Sequence, residues 1–130
     1  MKKLIFLLLA VTMLTACGQD KENDREVVYV TITAEEAKQI MDSEEGYIIL
    51  DVRTQEEYDQ GHIPGAIVIP HEEIAEKAEE VLPDKDQLIL VYCRSGRRSK
   101  IAAEVLAELG YTNIKEFGGI IDWPYEVEKP

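Results

Sequence analysis

The sequence predicts an α/β domain built on a central parallel five-stranded sheet with helices on both faces. Three observations carry this reading. Short apolar runs alternate with stretches of helical spacing along most of the chain. The runs at 47–50 and 88–92 are continuously apolar, as strands covered on both faces require. The chain has 130 residues, room for one compact domain and little else.

The elements follow in order. Val27 to Ile32 reads as a strand. Thr33 and Glu36 form a capping-box signature for a helix with Ala34, Ala37, Ile40 and Met41 inward. Tyr47 to Leu50 is the second strand, and Thr54 with Glu57 opens a short second helix that ends at Gly61. Ala66 to Ile69 is a third strand, broken by Pro70. Ile74, Ala75, Ala78, Val81 and Leu82 fall at helical spacing, and Pro83-Asp84 ends that helix. Leu88 to Tyr92 is the most apolar strand. After a six-residue loop comes a helix with Ile101, Ala102, Val105, Leu106 and Leu109 inward, stopped by Gly110. Ile114 to Phe117 is the fifth strand. Right-handed crossovers place the strand ends and following loops along one edge, where sites form in such sheets.

The first sixteen residues stand apart. Lys2 and Lys3 precede an apolar run from Leu4 to Leu14, too short to span a bilayer but of signal-peptide length. Leu14-Thr15-Ala16-Cys17 resembles the lipobox of bacterial lipoproteins, which implies cleavage before Cys17 and a lipid on its sulfur. The expected organisation is a signal peptide at 1–16, a lipidated cysteine and polar tether at 17–26, and the domain at 27–130. The expected location is the cell membrane, lipid-anchored on its extracytoplasmic side. The tether reaches about 30 Å at full extension. Loss of residues 1–16 removes two lysines and no acid, leaving about 12 basic residues against 26 acidic ones and a net charge near −14. Such a surface repels nucleic acid and anionic headgroups alike, so the membrane is held through lipid alone.

Cys17 and Cys93 are the only cysteines. With lipid on Cys17, Cys93 has no partner for a disulfide. Two distant histidines and one free thiol make no metal site. Cys93-Arg94-Ser95-Gly96-Arg97-Arg98 lies between the most apolar strand and a helix. An ordinary thiol is only about 3% ionised at pH 7, and three devices here favour the thiolate. Loop amides can converge on the sulfur, with Gly96 free to take positive φ. The following helix contributes the positive end of its dipole. Arg94, Arg97 and Arg98 crowd the rim. Arginines at a helix N-terminus oppose the dipole, so they point to an anionic substrate rather than to helix stability.

At this loop the sequence resembles the rhodanese family, over about residues 30 to 125. Asp51-Val52-Arg53 after a strand, Gly61-His62-Ile63-Pro64-Gly65-Ala66, the Cys93 loop, and Gly118-Gly119 with Trp123 occur in the family's order. The resemblance implies a sulfurtransferase: Cys93 takes sulfane sulfur from thiosulfate or a similar donor, and a thiol or cyanide removes it. Protein thiols are included among the acceptors. It implies substrate contacts from Arg94, Ser95, Gly96, Arg97 and Arg98, and no cofactor. Asp51, Arg53 and His62 are expected in structural roles, and His71 at the surface. Phosphatases and arsenate reductases with related loops are disfavoured. The phosphatase loop is one residue longer, and protein tyrosine phosphatases carry arginine where this chain has Ser99. The competing reading is a non-enzymatic rhodanese module that docks a partner or senses redox state through Cys93.

Overall fold

The computed structural model describes residues 29–130. The expected signal peptide, Cys17, the tether and the start of the first expected strand lie outside the described residues. Five strands, β1 (Val30–Thr31), β2 (Ile48–Asp51), β3 (Ile67–Val68), β4 (Ile89–Cys93) and β5 (Ile114–Gly119), form one sheet in the order β1-β5-β4-β2-β3. Every pairing is parallel. The helices are α1 (Ala34–Ser43), α2 (Gln55–Gln60), α3 (Ile74–Val81) and α4 (Arg97–Glu108). Short 3-10 turns occupy His71–Glu73 and Ile120–Asp122.

Both capping boxes form. Thr33 and Glu36 close the start of α1, and Thr54 and Glu57 close the start of α2, each satisfying two amide donors that a helix start would otherwise leave bare. The period-2 alternation of the strands then sorts side chains onto two faces. Ile89, Val91 and Cys93 of β4 pack with Ile74 and Ala78 of α3 and Ala102, Ala103 and Leu106 of α4. Leu90 and Tyr92 face the other way, onto a cluster with Ala37 of α1, Ile63, Phe117 and Trp123. Helices therefore cover both faces, and β4, central in the sheet, is buried along its whole length.

Three apolar side chains read from periodicity sit elsewhere. Ala75 is exposed, and Val81 and Ile101 are 45% and 38% exposed. The buried stripe of α4 runs instead through Ser99, Ala102, Ala103 and Leu106, because the helix begins inside the loop at Arg97 and lies close over the sheet. Among the described residues no helix is long and apolar enough to cross a membrane.

Candidate active site

β4 delivers Cys93 to the carboxyl edge of the sheet, fully buried as a residue. The chain then turns through Arg94-Ser95-Gly96, and α4 starts at Arg97. Gly96 caps α4 at φ +112, in the left-handed region that glycine enters without penalty, and no side chain caps the helix. Its N–H donates to Cys93 Sγ at 3.0 Å. Cys93 Sγ in turn donates to Ser99 Oγ at 3.5 Å.

Burial pushes the Cys93 thiol up, but the Ser99 hydroxyl and the backbone amides of Gly96, Ser99 and Ser95 outweigh it, and the thiol titrates below its ordinary value. Dipoles of the loop and helix start, all within reach of one sulfur, thus favour the anion.

β5 holds this loop in place. Val91 pairs with Glu116 and Cys93 with Gly119, so β5 spends one more residue than β4 over this stretch, a bulge at which Gly118 takes φ +88. Gly119 is the tightest point: a Cβ there would stand 1.9 Å from Arg94 O and 2.5 Å from Ser95 Cα. The next turn secures the same carbonyl, Ile121 N–H donating to Arg94 O at 3.2 Å. The glycine pair of the sequence is therefore a groove in which the cysteine loop rests.

The three loop arginines have separate settings. Arg98 forms a two-pronged pair with Glu57, at 2.9 and 3.0 Å, which joins α4 to α2. Glu57 also accepts from Thr54 N–H in the capping box. The Arg98 hydrogen bonds, opposed by burial and helped by Thr54, bring Glu57 down to about 2. Arg98 is thus a paired charge with a structural partner, which the sequence reading of an uncommitted rim cation did not include. Arg94 is exposed and borders a cleft of about 370 Å³ together with Arg53, Glu57, Gly61 and Lys129. Arg97 is exposed on the first turn of α4, outside the lining of that cleft.

Asp51, Arg53 and Tyr92 make a buried network behind the loop. Arg53 reaches Asp51 through Nε at 3.0 Å and a terminal nitrogen at 2.6 Å, and donates to Gly61 O at 2.7 Å. Tyr92 O–H donates to Asp51 Oδ2 at 2.6 Å and accepts from Ile63 N–H. Burial, the Asp51 charge and this hydrogen bond push the Tyr92 hydroxyl well above its ordinary value. The network ties the ends of β2 and β4 to the Gly61–Ile63 turn. His62 stacks on Tyr58 at 3.8 Å. Its Nδ1 lies 3.0 Å from Tyr58 O, so that nitrogen carries the proton, because a carbonyl only accepts. His62 Nε2 lies 3.6 Å from Glu128. His71 is half-buried, its N–H on Val52 O. Among the described residues no cluster of three or more histidine, cysteine or acidic side chains is arranged to hold a metal ion.

Four polar residues at the site escaped the sequence reading: Ser99, Glu116, Glu57 as the partner of Arg98, and Tyr92. Glu116 is fully buried and accepts from Ser99 Oγ, Thr31 Oγ1, Lys100 Nζ and Gly118 N–H. β5 carries two adjacent charges, Lys115 and Glu116, and strand alternation, which sets Glu116 on the face of Ile114, was the one available signal.

A model of the rhodanese-like domain matches residues 33–124. Thiosulfate sulfurtransferase PspE of Escherichia coli (strain K12) is 45% identical over 73 residues, covering 56% of this chain and 70% of that protein. Putative sulfur carrier protein YrkF of Bacillus subtilis (strain 168) is 41% identical over 98 residues, and the match spans 75% of this chain but only 52% of that protein. A solved structure described as rhodanese with anions from E. coli superposes with a TM-score of 0.60 at 40% identity, over 65% of this chain and 99% of that one. By the matched span, the shared fold and relatives named as sulfurtransferases, the chain belongs to the rhodanese-like domain family.

Proposed function

We propose that the protein is a thiosulfate-type sulfurtransferase that carries sulfur as a persulfide on Cys93. One observation carries the reading: a single sulfur at the base of a short loop, receiving a backbone N–H and titrating below its ordinary value. The Cys93 thiolate attacks the outer sulfur of thiosulfate. A bond forms between Sγ and that sulfur, the sulfur–sulfur bond of the donor breaks, and its electron pair leaves with sulfite. The terminal sulfur of the persulfide inherits the negative charge and lies among the loop amides from Arg94 to Arg98. A nucleophilic acceptor then takes the outer sulfur, cyanide leaving as thiocyanate or a thiol leaving as a persulfide, and the Cys93 thiolate returns.

Arg94 lines a cleft with Arg53 and Lys129, and in this reading its guanidinium binds the oxygens of the anionic donor. Lipid on Cys17 would hold this chemistry at the outer side of the cell membrane, where protein thiols are available as acceptors. The alternative is a module that docks a partner or senses redox state, keeping the thiol but never turning over. Mass spectrometry after thiosulfate treatment separates the two. Sulfur transfer requires a gain of one sulfur atom on Cys93, its loss on adding cyanide, and abolition of both in Cys93→Ser. Retention of more than a few per cent of turnover in that variant would remove Cys93 as the nucleophile.

A further inference from the structure

The Ser99 hydroxyl has one proton and several acceptors around it. Its oxygen lies 2.5 Å from Glu116 Oε2, 3.0 Å from Gly96 O, 3.4 Å from Gly118 O and 3.5 Å from Cys93 Sγ. The shortest separation is to the carboxylate, and hydrogen bonds to charged oxygen are the stronger ones. The hydrogen bonds therefore run in one direction, from the Cys93 thiol to Ser99 Oγ and from the Ser99 hydroxyl to Glu116. In that arrangement Ser99 offers the sulfur a lone pair, which suits a thiol and opposes a sulfur anion. When the thiol ionises, its proton leaves the site and the hydroxyl must rotate from Glu116 to Sγ to stabilise the charge. Glu116 then keeps three donors: Gly118 N–H, Thr31 Oγ1 and Lys100 Nζ.

We propose that Glu116 is a positioning residue that competes with the Cys93 sulfur for the single proton of Ser99, and so limits how strongly the site stabilises a sulfur anion. The consequence for sulfur transfer rests on the persulfide reading above. A persulfide held too well would load readily and discharge slowly, and a buried carboxylate one hydroxyl away keeps the terminal sulfur transferable. The placement is specific. β5 alternation puts Glu116 on the same face as Ile114 and Cys93, beneath the first turn of α4, and both Ser99 and Glu116 are fully buried. Other charges bear on the pair. Lys100 sits on Glu116 from α4 at 3.2 Å. Arg98 feels the Cys93 charge from the same helix while bound to Glu57 of α2.

The test titrates Cys93 in the full-length protein by ultraviolet thiolate absorbance, taken as a difference against Cys93→Ser, so it needs no turnover. In Glu116→Gln the amide oxygen can still accept from Gly118 N–H, but the charge that held the hydroxyl is gone. The Cys93 pKa should fall by about one unit. In Ser99→Ala it should rise, and in the double variant the Glu116→Gln shift should shrink to less than half. An equal shift with and without the hydroxyl would make Glu116 a plain background charge and overturn the proposal, as would no shift. Lys100→Met, at a half-exposed position, protects the test should Glu116→Gln fail to fold. It leaves Glu116 less satisfied and should raise the Cys93 pKa, and more so with Ser99 present than in Ser99→Ala. Equal rises would again overturn the proposal. If persulfide forms, its discharge to cyanide should slow in Glu116→Gln while loading does not. If no persulfide forms in any variant, the sulfur-transfer reading fails while the titration result stands.

Discussion

Replacing Glu57 with glutamine should destabilise the protein at neutral pH and cost progressively less as the solution is acidified. Glu57 titrates near 2 in the fold, against an ordinary value of 4.5, chiefly through its paired hydrogen bonds with Arg98. At about 1.4 kcal/mol per unit, a shift of this size corresponds to about 3 kcal/mol. The pair is partly open to water, at 27% exposure for Glu57 and 20% for Arg98, so screening reduces the contribution to about 1–2 kcal/mol. The folded-state value lies below the unfolded one. The stabilisation is therefore complete above about pH 4.5, falls to about half by pH 3, and is lost as the pH passes through about 2. Glutamine keeps an oxygen for Thr54 N–H, so the cap of α2 survives and the charge is what changes. Thermal or urea unfolding of both proteins between pH 3 and pH 7 measures the effect. At pH 7 the gap in Tm should be about 5–10 °C for a domain of this size. A gap that stays constant across that range, or no gap at pH 7, would refute the assignment of the shift to this ion pair.

Three further outcomes follow from the geometry. Gly119→Ala should unfold the protein or lower its Tm by more than about 10 °C, because the new methyl meets Arg94 O, whereas Gly118→Ala, with open space but φ +88, should cost about 1–2 kcal/mol; equal losses in thermal denaturation would contradict the packing of the loop on β5. Arg94→Ala should raise the KM for thiosulfate and leave the Cys93 titration nearly unchanged, and added salt should reproduce the first effect without the second; steady-state kinetics beside a thiol titration decide it, and parallel shifts in both would count against the separation. Cys17→Ala should release the protein from membranes or leave it unprocessed, as fractionation would show; firm membrane retention of a processed variant would exclude lipid on this residue.

The parts of the fold that were legible are those written in local sequence. Thr33 with Glu36 and Thr54 with Glu57 each close a box within four residues, so both helix starts could be read before any tertiary contact was known. The continuous run ending at Cys93 marked the buried central strand for the same reason. The side chains that shape the cysteine's surroundings come from long-range register instead. Glu116 lies beneath Ser99 only because β5 pairs with β4 at Val91, and the pairing slips by one residue before Gly119. Arg98 finds Glu57 across 41 positions of sequence. Ala75, Val81 and Ile101 show the converse, since helical spacing allows a stripe wider than the one the sheet covers.

The same contacts redistribute the charge that the loop carries. Four cations between Arg94 and Lys100 suggest a strong positive field on the sulfur, yet Arg98 is bound to Glu57 and Lys100 to Glu116, each pair bringing its own negative charge. Arg94 and Arg97 are left as exposed cations, and fields from exposed cations fade over about 8 Å at physiological ionic strength. The groups that favour the Cys93 anion are nearer and different in kind: the amides of Gly96, Ser99 and Ser95, and the Ser99 hydroxyl once it turns to the sulfur, all dipoles in a buried site where salt has little access. Under the proposed function, ionising the thiol and attracting an anionic donor therefore belong to separate sets of atoms. The first set is shaped by the backbone at Gly96, Gly119 and the slip in β5 and by the Ser99–Glu116 contact, and the second by side chains at the cleft. An otherwise strongly acidic chain would give the second set its value under that reading, because an anionic donor would meet repulsion over most of the protein and relief beside Arg94. The same reading predicts that substitutions in the cleft retune the donor without disturbing the sulfur's chemistry, which a site ionised by its arginines would not permit.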